Sequence, residues 1–180
     1  MKKLLHIWVC LGCLWLCSCR EVPKHPLVLL DFEAEETLDE ILWRCHTLFS
    51  LSDDWAGCGN RSLKFQFFPS DYPGFAYVLH KKDWRGYDRI SIRVFVPGKE
   101  PVELMIRIDD RRKSDEYGDR FNKVYRLNPG HNEVVIRLDQ LITTETQRKM
   151  ALKNIYQIMW FMVNPDQRHT LYFDCLRLDP

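Results

Sequence analysis

Three stretches of this chain restrict what it can fold into. In RISIRVFV (89–96), Ile90, Ile92, Val94 and Val96 fall on one side of an extended backbone, opposite Ser91, Arg93 and Phe95. VELMIRID (102–109) sets Leu104, Ile106 and Ile108 against Glu103, Met105, Arg107 and Asp109. NEVVIRL (132–138) sets Val134, Ile136 and Leu138 against Glu133, Val135 and Arg137. A repeat of two is the period of a β-strand, whose successive side chains point to opposite faces. One apolar side per strand implies a sheet with one face buried against a second sheet.

The pattern continues from Leu27 onward. LVLLDFE, LWRCHTL, SLKFQFF, GFAYVLH, KVYRL and TLYFDCLRL are rich in branched and aromatic residues, and PSDYPG, PGKEP, NPGHN and NPDQRH supply the turns between strands. NIYQIMWFMV (154–163) is apolar on both sides, which suits a central strand. AEETLDEI and TTETQRKMAL are the two short segments with a helical look. At 180 residues the chain suits one domain with most of its apolar surface buried. The expected architecture is all-β, a two-sheet antiparallel jelly-roll sandwich over residues 27–180.

Charge narrows the function classes. The 26 basic residues are balanced by 25 acidic ones and form no sustained block, which argues against a nucleic-acid partner. No H-E-x-x-H, G-x-S-x-G, P-loop or G-x-G-x-x-G motif occurs. Four of the seven cysteines, Cys10, Cys13, Cys17 and Cys19, crowd a start in which basic MKK precedes LLHIWVCLGCLWLCSC. That apolar run is too short to span a bilayer comfortably. Its end, Leu16-Cys17-Ser18-Cys19, resembles the bacterial lipobox. The resemblance implies a signal peptide over 1–18, lipidation of Cys19, a tether over 19–26, and a lipid anchor in the bacterial cell envelope, at the periplasmic or extracellular face. Three thiols then remain in an oxidising compartment, enough for one internal disulfide. Cys45 and Cys58 flank one loop and are the expected pair, with Cys175 packed in a strand as a small apolar side chain.

Several phrases in order resemble the galactose-binding-like jelly-roll domains, the superfamily that includes many carbohydrate-binding modules. They are LLDFE, the GNRSL entry to a strand, KDWRGYDRISIRVFVPG, LNPGHNEVVIRL and LYFDCLRL, spread from Leu27 to Leu178. The resemblance implies a structural calcium between the first and last strands, with Glu33, Asp174 and Asp53 as the candidate carboxylates. It also implies a glycan or polysaccharide as ligand, bound without catalysis.

Candidate ligand residues concentrate in RIDDRRKSDEYGDRFN (107–122). Sugar recognition needs planar hydrogen-bonding side chains and an aromatic ring to cover C–H faces. Arg107, Asp109, Tyr117, Asp119 and Arg120 supply both, although the same charges also suit a loop held shut by mutual pairing. By parity Arg93 and Arg107 avoid the core and are expected on one outward face, joined by His46 and Gln66. A protein-interaction or assembly module of the envelope is the alternative, and a small hydrolase using Asp109, Asp119 and His46 is a third.

Overall fold

The structure is a computed structural model that describes residues 25–112 and 117–180. The signal peptide expected over 1–18 and the lipidated Cys19 lie outside the described residues. The described chain forms eleven strands: β1 (Leu27–Leu30), β2 (Ile41–Cys45), β3 (Thr47–Ser52), β4 (Ser62–Phe67), β5 (Gly74–Val78), β6 (Arg89–Val96), β7 (Val102–Asp109), β8 (Phe121–Leu127), β9 (Gly130–Arg137), β10 (Gln157–Phe161) and β11 (His169–Asp179). They build two antiparallel sheets packed face to face, a jelly-roll sandwich. Sheet A runs β3-β4-β11-β6-β9, and β1 takes over beside β11 where β4 stops. Sheet B runs β2-β5-β10-β7-β8, so the doubly apolar β10 is central.

Alternation places the core between the sheets. Ile90, Ile92, Val94 and Val96 of sheet A and Leu104, Ile106 and Ile108 of sheet B are all buried. At one end the layers are locked by rings. Phe65 of β4 lies 4.3 Å from Phe75 of β5 between ring centroids, and Phe75 stacks on Trp160 at 4.9 Å. Phe173 of β11 meets Phe75 edge-on at 5.3 Å. Such pairs add to the burial of their area by about 0.5–1.5 kcal/mol each.

Three local expectations change. LWRCHTL is not one strand: His46, at φ 46°, turns the chain from β2 in sheet B to β3 in sheet A. TTETQRKMAL is not a helix. The Thr143 hydroxyl accepts the Arg148 amide at 2.8 Å, Gln147 takes φ 52°, and Ile142 bridges Lys149 as in a strand pair. Hydroxyl-to-backbone bonds of this kind compete with helix formation. AEETLDEI contributes only a short 3-10 turn at Glu35–Glu40.

Candidate functional site

The outer face of sheet B carries a groove. Facing away from the core, Ala76 of β5, Met159 and Phe161 of β10 and Met105 of β7 form an apolar cluster separate from the main core. Gly74 makes that floor close-packed, since a Cβ there would sit 2.4 Å from both Phe161 Cβ and the Trp160 carbonyl oxygen. Above the floor, Tyr72 from the turn before β5 and Tyr117 from the loop between β7 and β8 are 52% and 63% exposed. With Arg107, Met159 and Phe161 they enclose about 320 Å³. Exposed rings beside an apolar floor, with a guanidinium in the same lining, form a surface suited to a ligand that has both C–H and polar faces.

Arg107 is held by its neighbour two residues on. Asp109 accepts from Arg107 Nε at 2.9 and 3.1 Å and from Nη2 at 2.8 Å. Gln157 Nε2, across the strand pair, donates to the same carboxylate at 2.5 Å. Arg120 Nε lies 3.9 Å from it, and the Arg120 guanidinium packs 5.4 Å from the Tyr117 ring centroid.

A second charge network fixes the wall that carries Tyr117. Arg148 forks onto Asp110 at 2.7 and 2.9 Å and reaches Asp119 at 2.9 Å, while Arg111 donates to Asp119 at 2.7 Å. The Ala151 amide also donates to Asp110 at 2.6 Å. Burial pushes the Asp110 carboxyl up, but the Arg148 fork and the Ala151 amide outweigh it and hold it below the usual carboxylate range. The Arg148 hydrogen bond does the same to Asp119. These contacts tie the chain between β9 and β10 to the β7–β8 loop.

The candidate ligand residues therefore divide. Arg107, Asp109, Tyr117 and Arg120 come together at the groove, whereas Asp119 is committed to Arg111, Arg148 and the Thr146 hydroxyl. Arg93 and Arg107 do not share a face. Arg93 belongs to β6 of sheet A, where its Nη1 donates to the Gly57 carbonyl on the opposite side of the sandwich. Gln66 is on sheet A too, between Leu48 and Thr170, and His46 is exposed at the turn between sheets. Parity separates core from non-core, but a two-sheet sandwich has two non-core faces, and strand pairing chooses between them. Tyr72, Gln157, Met159 and Phe161 are groove residues that sequence reasoning missed. Tyr72 reads as part of a turn, and the outer side of β10 reads as buried core. Its apolarity on both faces was the available signal.

The cysteine expectation also needs correction. Cys58 pairs with Cys175, with Cα atoms 5.9 Å apart, and Cys45 is free. Cys45 ends β2 in sheet B, whereas the Cys58 loop folds over β11 of sheet A, bringing the Gly57 and Cys58 amides onto Asp174 at 2.7 Å each.

That same corner is where a calcium would be sought. Asp174 is 0% exposed, and its other oxygen accepts the Cys175 amide at 2.7 Å. Glu33 Oε1 accepts the Asn60 and Arg61 amides at 2.8 and 2.9 Å, and the Glu33 carbonyl accepts Arg61 Nη2. Asp53 is exposed in the loop. Calcium needs six to eight oxygens turned toward it. Here Asp174, Glu33 Oε1 and the Glu33 and Gly57 carbonyls accept N–H donors.

No protein-family model matches the chain, and no curated protein matches it in sequence. Solved structures do match. A family 11 carbohydrate-binding module from Clostridium thermocellum, in complex with a β-1,3-1,4-mixed-linked tetrasaccharide, superposes with a TM-score of 0.69 at 15% identity, covering 86% of this chain and 95% of the module. This chain shares the jelly-roll fold of that module. The xylan-binding domain CBM22-1 from Paenibacillus barcinonensis shares the jelly roll at a TM-score of 0.57 and 15% identity, covering 88% of this chain and 97% of that domain. An exo-β-agarase contains the same fold as one part, with a TM-score of 0.67 at 17% identity over 86% of this chain and 25% of the enzyme. At such identities the likeness is one of fold.

Proposed function

We propose that the groove on the outer face of sheet B binds a glycan without cleaving it, on a lipoprotein anchored in the bacterial cell envelope. The observation that carries this reading is the pairing of two exposed tyrosine rings with an apolar floor and a fixed guanidinium in about 320 Å³. Carbohydrate-binding modules and a xylan-binding domain share the fold, which supports the same reading. Glycoside hydrolysis uses two carboxyl groups flanking the bond, whereas Asp109, the carboxylate beside the groove, is tied to Arg107 and Gln157. Anchoring rests on the resemblance of Leu16–Cys19 to a lipobox. A tethered site needs only modest intrinsic affinity, because the anchor raises the local concentration.

The test is binding of the full chain to a panel of soluble polysaccharides by calorimetry, with product analysis after prolonged incubation. Saturable binding without release of shorter sugars is expected. No binding to any polymer overturns the reading, and shortened products overturn its non-catalytic part. A protein partner is the second reading, favoured by the exposed Leu42 and Leu48 on edge strands β2 and β3. A stoichiometric protein co-purifying from solubilised membranes would support it.

A further inference from the structure

We infer that strand β3 pairs antiparallel with β3 of a second copy of this chain, so that sheet A runs unbroken across a two-fold dimer. Among the described residues four strands end the two sheet orders, β3 and β9 in sheet A and β2 and β8 in sheet B. An edge strand presents unpaired N–H and C=O groups, and charged side chains are a common guard against its pairing with another chain. β2 contains Arg44, β8 contains Lys123 and Arg126, and β9 contains Glu133 and Arg137. β3 reads Thr47-Leu48-Phe49-Ser50-Leu51-Ser52 and has no charge. β1, off that order, is only four residues long.

Both faces of β3 hold apolar surface that one copy leaves open. On the outer face Leu48 is 62% exposed. On the core face Phe49 and Leu51 are only partly buried, whereas Phe65 and Leu63, opposite them on β4, are fully buried. A strand on the free side of β3 covers that flank as β4 covers the other.

The occupant follows from the strand itself. A neutral strand meets its own copy without like-charge repulsion. Residues directly opposite in an antiparallel pair share a face. Centring the pair on Ser50 sets Phe49 of one copy against Leu51 of the other on the core side, so both open residues gain cover in each copy. Centring it on Phe49 leaves Leu51 opposite Thr47. Beyond the pair, the exposed His46 of one copy approaches the exposed Asp53 and Asp54 of the other, so the ends bring no like charges together. The two-fold axis of such a pair stands perpendicular to the sheet, and both copies present the outer face of sheet B on the same side. Resting on the glycan reading, the dimer is therefore a bivalent binder that gains avidity from two modest sites.

The experiment uses the full chain in density-matched detergent. Sedimentation is expected to fit a monomer–dimer equilibrium. Ser50 is exposed in one copy and lies on the axis of the pair. Ser50→Lys and Ser50→Glu thus each set like charges opposite one another, and each is expected to weaken the dimer at least about fivefold, the scale of one cross-strand pair. Mixing the two variants is expected to restore it. If either variant fails to fold, Ser50→Cys decides: mild oxidation is expected to join the two copies at that position, as identified by mass spectrometry of the linked peptides. A monomer at every concentration, a dimer that both charged variants keep, no recovery on mixing, or no cross-link at position 50 overturns the inference. Retention on an immobilised polysaccharide that is unchanged in Ser50→Lys overturns the bivalent part alone. Binding of no polysaccharide ends the glycan reading and leaves the dimer standing.

Discussion

Arg107 and Asp109, two residues apart on the outer face of β7, are joined by three hydrogen bonds of 2.8–3.1 Å. The pair follows directly from the period of a strand, which returns every second side chain to one face. What it does follows from burial: the carboxylate is covered, and the guanidinium is left at the groove. Asp109→Ala leaves Arg107 and Gln157 facing a void without their acceptor. The expected cost is about 2–4 kcal/mol, somewhat below the loss for a fully buried pair because Arg107 stays partly wet. Urea denaturation measures it, and Asp109→Asn should cost less.

Tyr72 and Tyr117 are exposed, so their substitution should separate binding from stability. Tyr117→Ala and Tyr72→Ala are each expected to weaken polysaccharide binding by roughly tenfold, which corresponds to about 1.4 kcal/mol. The urea midpoint should move little. A fall in stability without a change in binding would place these rings in the scaffold.

Gly74 is set by close approach. Gly74→Ala brings a methyl group to 2.4 Å from Phe161 Cβ and from the Trp160 carbonyl, so β5 or β10 must shift. Overpacking of this kind costs about 1–3 kcal/mol. Denaturation should show that loss, and binding should weaken with it because Phe161 is part of the groove floor.

The Cys58–Cys175 bridge spans 117 residues of chain. In the chain-entropy account a loop of that length is worth on the order of 4–5 kcal/mol. Cys58→Ser and Cys175→Ser should each lower the urea midpoint markedly, and Cys45→Ser should not. Asp174 and Glu33 Oε1 bond amides, and a midpoint unchanged by EDTA would show that they serve those amides in place of an ion.

Acid should loosen the groove wall before it loosens the core. Asp110 and Asp119 titrate below ordinary carboxylates when folded. Their stabilisation is therefore full above the unfolded value, about 3.9, and is lost as pH falls through the depressed folded values. Asp174 works in the other direction. Burial raises it despite the amides of Cys58, Cys175 and Gly57, so its contribution is present at low pH and declines as pH rises through the carboxylate range. Arg148→Met isolates the first effect, since Arg148 bonds both Asp110 and Asp119. Its stability curve should be flatter between about pH 5 and 2 than that of the unaltered chain. A parallel curve would show that the network does not couple to folding.

Much of the groove was legible in pieces. Arg107, Asp109, Tyr117 and Arg120 sit in one charged stretch and converge on one wall. Their division of labour was not legible, because whether a carboxylate meets a ligand or a neighbouring arginine depends on which strands adjoin it. Gln157 reaches Asp109 from β10, 48 residues away. Tyr72 approaches through the turn before β5, and its ring meets Phe161 edge-on at 6.2 Å.

By itself the sequence determined the strands, the core side of each strand and the sandwich that must bury those sides. That information is local, carried by residues one and two positions apart. Only the tertiary structure decided that Arg93 and Arg107 face opposite ways, that Cys58 meets Cys175, and that β10 lends its second apolar side to a surface groove. Strand order sets all three, and it depends on contacts between residues far apart in the chain, about which a two-residue period carries no information.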